Sequence, residues 1–155
     1  MAIYFYETKL GRLGVAENDG SITHVFFEGE RIPDHSEILE TELLKEAGRQ
    51  LREYANGALK EFRLPLNPSG TTFMKQVWDS LLEIPYGKTA SYKDVAVCIG
   101  NPKAMRAVGL ANNRNPIPII IPCHRVIGSN GRMVGYGGGI PLKERLLRLE
   151  ADQSK

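Results

Sequence analysis

The sequence has few of the residues that build disulfides and metal sites. Its 155 residues include two cysteines, Cys98 and Cys123, and three scattered histidines, His24, His35 and His124. No pair of these residues has the spacing of zinc ligands, so we expect neither a bound metal nor another cofactor. A disulfide is not expected either, because the N-terminus lacks the pattern of a secretory signal and the reducing cytoplasm is the expected location.

Long apolar runs are also missing, and acidic residues are scarce in the second half. No apolar stretch approaches the ~20 residues of a membrane-spanning helix, so no membrane partner is expected. Residues 1–69 carry 8 basic and 12 acidic side chains, whereas residues 70–155 carry 12 and 6. This asymmetry favours a polyanionic partner for the second half, although the solvated faces of an ordinary domain would give the same imbalance.

The first half predicts a small antiparallel sheet followed by a helix. Three β-branched and aromatic segments are separated by glycine-containing turns, which is typical of a meander. Apolar residues then recur at helical spacing as far as the stop signal Asn56-Gly57. The predicted elements are strands at 3–8, 13–17 and 22–27, a loop at 31–36, a helix at 41–54 and a short strand at 62–64. No group of residues here suggests chemistry, so we interpret residues 1–69 as a scaffold lobe.

A turn-rich segment at 66–70 separates this lobe from a mainly helical one, residues 70–155. Within it, Trp78 and Cys98 are interpreted as core residues. The glycine-rich segment 135–139 presents backbone N–H groups. The predicted helices cover 71–84, 91–99, 101–112 and a C-terminal segment opened by Pro141, with Leu142, Leu146 and Leu149 on its inner face.

The two middle helices form a candidate helix-turn-helix. Ser91 and Asp94 have capping-box spacing, and Asn101 and Pro102 suit the N-cap and the first position of the second helix. Small side chains on one side of that helix would let its backbone approach a partner closely, with Arg106 reaching past them. Those small residues are Ala104, Ala107, Val108 and Ala111. A tightly packed pair of core helices with one solvated arginine would give the same pattern.

The most informative stretch is the isoleucine run 117–121 and the residues that follow it. The β-branched residues between prolines predict a short buried extended segment, and Pro122 suits its end. Cys123 then comes directly before His124, and a neighbouring basic group favours the reactive thiolate form of a cysteine. A buried structural cysteine is the alternative interpretation.

These residues closely resemble the active-site signature of the O6-alkylguanine-DNA alkyltransferases, also called methylated-DNA–protein-cysteine methyltransferases. Matching positions follow in the same order over residues 70–150, whereas the first half fits only by its pattern of strands and helix. The matching stretches are Val77-Trp78, Ile84-Pro85-Tyr86-Gly87, Ser91-Tyr92, Gly100-Asn101-Pro102-Lys103-Ala104, Arg106-Ala107-Val108-Gly109, residues 115–126, Tyr136, Gly138-Gly139, Lys143-Glu144 and Glu150. The resemblance implies an α+β fold with a ribonuclease H-like N-terminal lobe and a C-terminal lobe that holds the helix-turn-helix and the active-site cysteine.

The resemblance also implies a reaction and assigns residues to it. An alkyl group passes irreversibly from guanine O6, or less readily thymine O4, to the sulfur of Cys123. His124 corresponds to the base that takes the thiol proton through a water, and Glu150 to the acid that orients it. Asn115 corresponds to the hinge asparagine, and Tyr92 to the tyrosine that protonates or hydrogen-bonds guanine N3. Arg125 is interpreted as structural.

Double-stranded DNA carrying O6-alkylguanine is the implied partner, read through the minor groove. Arg106 corresponds to the finger that fills the stack left by the flipped base. The other residues assigned to DNA binding are Ala104, Ala107, Ala111, Ser91 and Arg114. The base pocket is assigned to Tyr92, Val126, Tyr136, Gly137 and Gly138. A monomer is expected, and cooperative assembly along DNA is left open.

Two departures from relatives narrow the assignment. Some relatives bind zinc in the N-terminal lobe, but this chain has no cysteine before Cys98. A second branch has tryptophan at the position of Cys123 and binds lesions without transfer, so the presence of Cys123 argues against that branch. A lesion-binding sensor, which shares the fold and the helix pair, is kept as the alternative. A cysteine hydrolase is a further alternative, although it gives no reason for a helix-turn-helix or for a basic second half.

Overall fold

The first of two compact units, Met1–Pro68, is built on a four-stranded sheet. The computed structural model describes residues 1–154. The strands are β1 (Ala2–Thr8), β2 (Gly11–Asn18), β3 (Ser21–Phe27) and β4 (Glu37–Ile38). Their order is β3-β2-β1-β4, with an antiparallel meander and a parallel β4. The predicted meander is confirmed, whereas β4, only two residues long, gives no alternating pattern and was not predicted.

The predicted strand at 62–64 is wrong. The chain pairs with β3 slightly later, where Leu66 forms an isolated bridge with Ile22. The Ile22 N–H donates to the Pro65 carbonyl at 2.8 Å, and the Asn67 N–H donates to the Ile22 carbonyl at 2.8 Å. Pairing at a single residue leaves no run for sequence periodicity to detect.

The helix predicted at 41–54 is confirmed as α1 (Glu42–Ala55), and it packs on the sheet. Thr41 caps it, its side chain accepting from the Leu44 N–H. Gly48 allows the close approach of helix and sheet, because a Cβ there would lie 2.6 Å from the Tyr6 ring. A small residue at this contact is therefore a packing requirement.

The second unit, Ser69–Lys155, is mainly helical. Its helices are α2 (Thr72–Leu81), α3 (Tyr92–Cys98), α4 (Met105–Asn113) and α5 (Ile140–Gln153). Two short strands of this unit, β5 (Ala90–Ser91) and β6 (Val126–Ile127), pair with each other in parallel. Trp78 lies in the core as predicted, and its indole N–H donates to the Ala111 carbonyl at 2.9 Å.

The predicted boundaries of the helix-turn-helix are half right. The capping box at α3 is confirmed, since Ser91 and Asp94 each bond the other's backbone N–H. Asn101 does not cap α4, however, because the Ala104 N–H donates to the Asn101 carbonyl in a turn and Ala104 takes the N-cap position. The tight turn after Gly100 thus delays the second helix by one turn.

The isoleucine run is buried as predicted but is not extended. The Ile121 N–H donates to the Ile117 carbonyl at 2.9 Å, and Ile119 has φ of 73°. A positive φ is rare for a β-branched residue and is held only where surrounding contacts fix it. Asn115 supplies two of these contacts: its Nδ2 donates to the Ile121 carbonyl at 2.8 Å, and its Oδ1 accepts from the Ile117 N–H at 3.0 Å.

Among the described residues, no helix combines the length and the apolar character that a membrane crossing requires.

Candidate active site

Cys123 begins a one-turn 3₁₀ helix, Cys123–Arg125, directly after the strained turn. The cysteine is 5% exposed, and its carbonyl accepts from Asn112 Nδ2 at 3.4 Å. Burial raises the pKa of the Cys123 thiol to about 11, although a hydrogen bond from Asn115 and the charge of Lys143 oppose this. The charge of Lys143 thus favours the thiolate, but burial outweighs it, so the thiol form is favoured in the free protein. The thiol needs a proton acceptor before it can act as a nucleophile.

His124 and Glu150 form the proton-accepting pair. His124 Nε2 lies 2.7 Å from Glu150 Oε2, and both side chains are fully buried. A carboxylate only accepts hydrogen bonds, so Nε2 carries the hydrogen and Nδ1 is the proton-accepting nitrogen of the neutral ring. Burial lowers the pKa of His124, while Glu150 raises it. The geometry is that of a neutral base oriented by an acid.

Glu150 is held in place by two further residues, Arg125 and Gly87. Arg125 Nε donates to its Oε1 at 2.8 Å, and the Gly87 N–H donates to the same oxygen at 3.2 Å. Gly87 has φ of 81°, and a Cβ there would lie 2.2 Å from Ser154 Oγ. The turn after α2 therefore requires glycine in order to bring this N–H to the carboxylate.

Lys143 was not predicted as a site residue. Its Nζ donates to the Val126 carbonyl at 2.7 Å and to the Val134 carbonyl at 3.0 Å, although the side chain is fully buried. Burial lowers the pKa of Lys143. Lys143 and Glu150 lie on the same buried face of α5 as Leu146. Two charged residues in phase with a leucine on the inner face were the signal that could have identified Lys143.

Tyr92 is the first residue of α3. Its hydroxyl donates to the Val134 carbonyl at 3.4 Å. Burial raises the pKa of Tyr92, and the charge that Cys123 would carry as a thiolate raises it further. Val134 begins the segment that holds three residues assigned to the base pocket, Tyr136, Gly137 and Gly138. Lys143 and Tyr92 thus share one carbonyl of this segment.

The residues assigned to DNA binding divide into exposed and buried groups. Arg106, Ala107 and Arg114 are exposed, and Ala104 and Ser91 are partly exposed. Ala111 and its neighbour Val108 are buried. The prediction that these two line the approach surface of α4 is wrong, because they face the core, where the Ala111 carbonyl receives the Trp78 N–H.

Three more surface residues differ from expectation or were missed. Cys98 is exposed, so its interpretation as a core residue is wrong. Met105 and Leu110 are large apolar side chains of α4 that reach solvent, Leu110 being 51% exposed. The sequence pattern predicts small residues on the outer face of α4, whereas the structure places these two larger side chains there. Among residues 1–154, no cluster of potential metal ligands occurs.

Comparison with known proteins identifies the family. The model described as "6-O-methylguanine DNA methyltransferase, ribonuclease-like domain" matches residues 1–68, and the DNA binding domain of the same family matches residues 72–152. The chain belongs to this family. Cys123, His124, Tyr92 and Glu150 all lie in the stretch that the DNA binding domain matches.

Curated and solved relatives agree with the family models. A methylated-DNA–protein-cysteine methyltransferase of Methanosarcina barkeri is 52% identical over 147 residues, which cover 93% of each chain. The constitutive enzyme of Bacillus subtilis is 47% identical over 151 residues, covering 93% of this chain and 92% of the relative. Mycobacterium tuberculosis OGT, solved in complex with DNA, has a TM-score of 0.92 at 42% identity and covers 99% of this chain and 94% of that one. The predicted α+β fold is thereby confirmed.

Proposed function

We propose that this member of the methyltransferase family repairs alkylated DNA directly, moving an alkyl group from guanine O6, or less readily thymine O4, onto Cys123. The observation that carries the proposal is the hydrogen-bonded pair of His124 and Glu150 directly after Cys123. His124 follows Cys123 and hydrogen-bonds Glu150 at 2.7 Å in a buried site. This arrangement provides a nucleophile, a base and an orienting acid, and a charge on Cys123 raises the pKa of the Tyr92 phenol beyond the effect of burial.

The reaction exchanges the thiol hydrogen for the alkyl group. His124 Nδ1 accepts the thiol proton, through a water in the scheme that the family resemblance implies. The sulfur then attacks the alkyl carbon, the new S–C bond forms as the C–O6 bond breaks, and the electron pair stays on the purine. Tyr92 donates a hydrogen bond to N3, where negative charge develops, and guanine regains one proton. Because a thioether has no ready route back to a thiol, each molecule acts once.

The reaction requires the damaged base to leave the duplex. Flipping costs a few kcal/mol in lost stacking and pairing. Arg106 is exposed on α4 and can occupy the vacated position, and exposed Ala107 allows the helix to lie close to the minor groove. Asn115 connects the end of α4 to the turn before Cys123 through its two hydrogen bonds. The DNA-reading helix and the nucleophile are therefore mechanically linked.

The direct test is stoichiometric capture. The protein is incubated with duplex DNA containing O6-methylguanine, and its intact mass and peptide masses are measured. We expect a gain of one methyl group, located on Cys123, with no second turnover. An unmodified protein that binds the lesion tightly would instead identify a lesion sensor, and repeated turnover on an ester would identify a hydrolase.

Replacing Arg106 by alanine should slow transfer from duplex DNA by about 10-fold or more, which corresponds to a loss of about 1.4 kcal/mol in the flipped state. Reaction with free O6-alkylguanine should change little, since a free base needs no flipping. Single-turnover rates on the two substrates measure the difference. Arg31→Gln, an exposed charge change in the first unit, is the matched control. Equal slowing on both substrates would reject the finger role.

A further inference from the structure

Arg125 contacts the site carboxylate more extensively than His124 does. Its Nε donates to Glu150 Oε1 at 2.8 Å, and its Nη2 donates to Glu150 Oε2 at 3.1 Å. Its third nitrogen, Nη1, donates to the Ile84 carbonyl at 2.6 Å. The guanidinium is buried and therefore fixed on both sides. Such bidentate hydrogen bonding is the strongest form of ion pair between an arginine and a carboxylate.

Charge balance in this buried group depends on the protonation state of His124. Arg125 is always cationic, and Glu150 supplies one negative charge. These two charges cancel if the imidazole is neutral. A proton on His124 would leave an uncompensated positive charge among buried side chains, which is energetically costly. Lys143, buried on the same helix as Glu150, would increase that cost.

We propose that Arg125 is a positioning residue that keeps His124 neutral, and hence able to accept the thiol proton, by neutralising the charge of Glu150. This inference rests on the proposed alkyl transfer and deepens it. Without the guanidinium, Glu150 would be balanced by a proton taken up within the pair, most directly on His124. An imidazolium cannot accept the thiol proton, so the base would be lost at neutral pH.

The other titratable groups around His124 agree with a neutral ring. Burial lowers the pKa of His124 most, Glu150 opposes this, and the charges of Arg125 and Lys143 lower it further. Cys123 beside it is a protonated thiol at neutral pH. Two phenols complete the surroundings. The Arg125 guanidinium lies over the Tyr86 ring, and burial and the charge of Glu150 raise the pKa of Tyr86. Burial and a charge on Cys123 raise the pKa of Tyr92. Both phenols are therefore uncharged at neutral pH.

The test is the pH dependence of methyl transfer under single-turnover conditions from about pH 5 to about pH 9, a window that spans the ordinary titration of histidine. In the wild type we expect the rate to hold until the pH falls below about 6.5, the ordinary histidine value. In Arg125→Gln the midpoint of the acid limb should rise by about one pH unit or more, and the lost rate should return at alkaline pH. Arg125→Lys, which keeps the charge, should retain the wild-type midpoint.

A merely structural arginine predicts a different result, in which Arg125→Gln lowers the rate by the same factor at every pH. That result would overturn the inference. Thermal melts and lesion binding establish that the variants are folded. If Arg125→Gln does not fold, Arg125→Met, which keeps much of the side-chain volume without the charge, replaces it in the same pH profile. An imidazolium at pH 7 in the wild type, detected by NMR titration of the His124 ring, would overturn the inference in either case. A wild type that transfers nothing at any pH would reject the proposed function, and with it this inference.

Discussion

Replacing Cys123 by serine is expected to abolish alkyl transfer while preserving binding to lesion-bearing duplex DNA. A serine hydroxyl has a much higher pKa than a thiol, and its oxygen is a far weaker nucleophile toward an alkyl carbon than a thiolate sulfur. The exposed arginines and small residues on α4 are unaffected by the change. Intact mass after incubation with O6-methylguanine duplex should show no adduct, and a binding titration should give an affinity close to that of the wild type.

Cys98→Ser is the matched control for this experiment. Cys98 is exposed at the end of α3, away from the 3₁₀ turn. Its replacement by serine makes the same sulfur-to-oxygen change at a site that the reaction does not use. Its variant should still take up one methyl group. If Cys123→Ser loses lesion binding together with transfer, and its melting transition falls sharply, Cys123 is a structural core residue and the assigned reaction is wrong.

Replacing Glu150 by glutamine should reduce both stability and activity. Arg125 would then be buried without a counter-charge, and breaking one partner of a buried ion pair costs about 3–5 kcal/mol. His124 would also lose the carboxylate that fixes its tautomer, and loss of general-base function slows a reaction by about 10²–10⁴-fold. Urea unfolding measures the first effect, and single-turnover transfer measures the second.

Glu144→Gln is the matched control, because it removes the same charge from a different position on α5. Glu144 lies on the same helix and is exposed, so its variant should match the wild type in both measurements within experimental error. An unchanged free energy of unfolding in Glu150→Gln would mean that the buried ion pair with Arg125 does not stabilise the fold. That outcome would contradict the site geometry described above.

Local patterns in the sequence predicted the elements whose causes are local. The capping box at Ser91 was predictable because donor and acceptor lie three residues apart. The meander was predictable because alternation and turn residues specify it without reference to the rest of the chain. The pairing of His124 with Glu150 spans 26 residues along the chain. Only the family resemblance brought these two together, since no local spacing relates them.

Features that depend on tertiary contacts were predicted wrongly or missed. The run before Cys123 has the β-branched composition of a strand, but the Asn115 side chain satisfies its backbone and folds it into a turn. The small side chain of Ala111 was assigned to the DNA-facing side of α4, yet the residue lies in the core, where its carbonyl accepts a hydrogen bond from the Trp78 indole. The burial of Lys143 depends on two carbonyls from separate segments. In each case a distant partner overrides the local preference.

The parallel pair β5–β6 ties Tyr92 to the turn that bears Cys123. Ala90 pairs with Val126 and Ser91 with Ile127, so the residue before Tyr92 and the residues after the 3₁₀ turn belong to one short ladder. In the proposed reaction we therefore expect the spacing between the Tyr92 phenol and the Cys123 sulfur to change little when the alkyl group is bulkier. We expect room for such a group to come from the largely exposed glycine-bearing segment 128–139, whose sequence would then influence the range of lesions accepted.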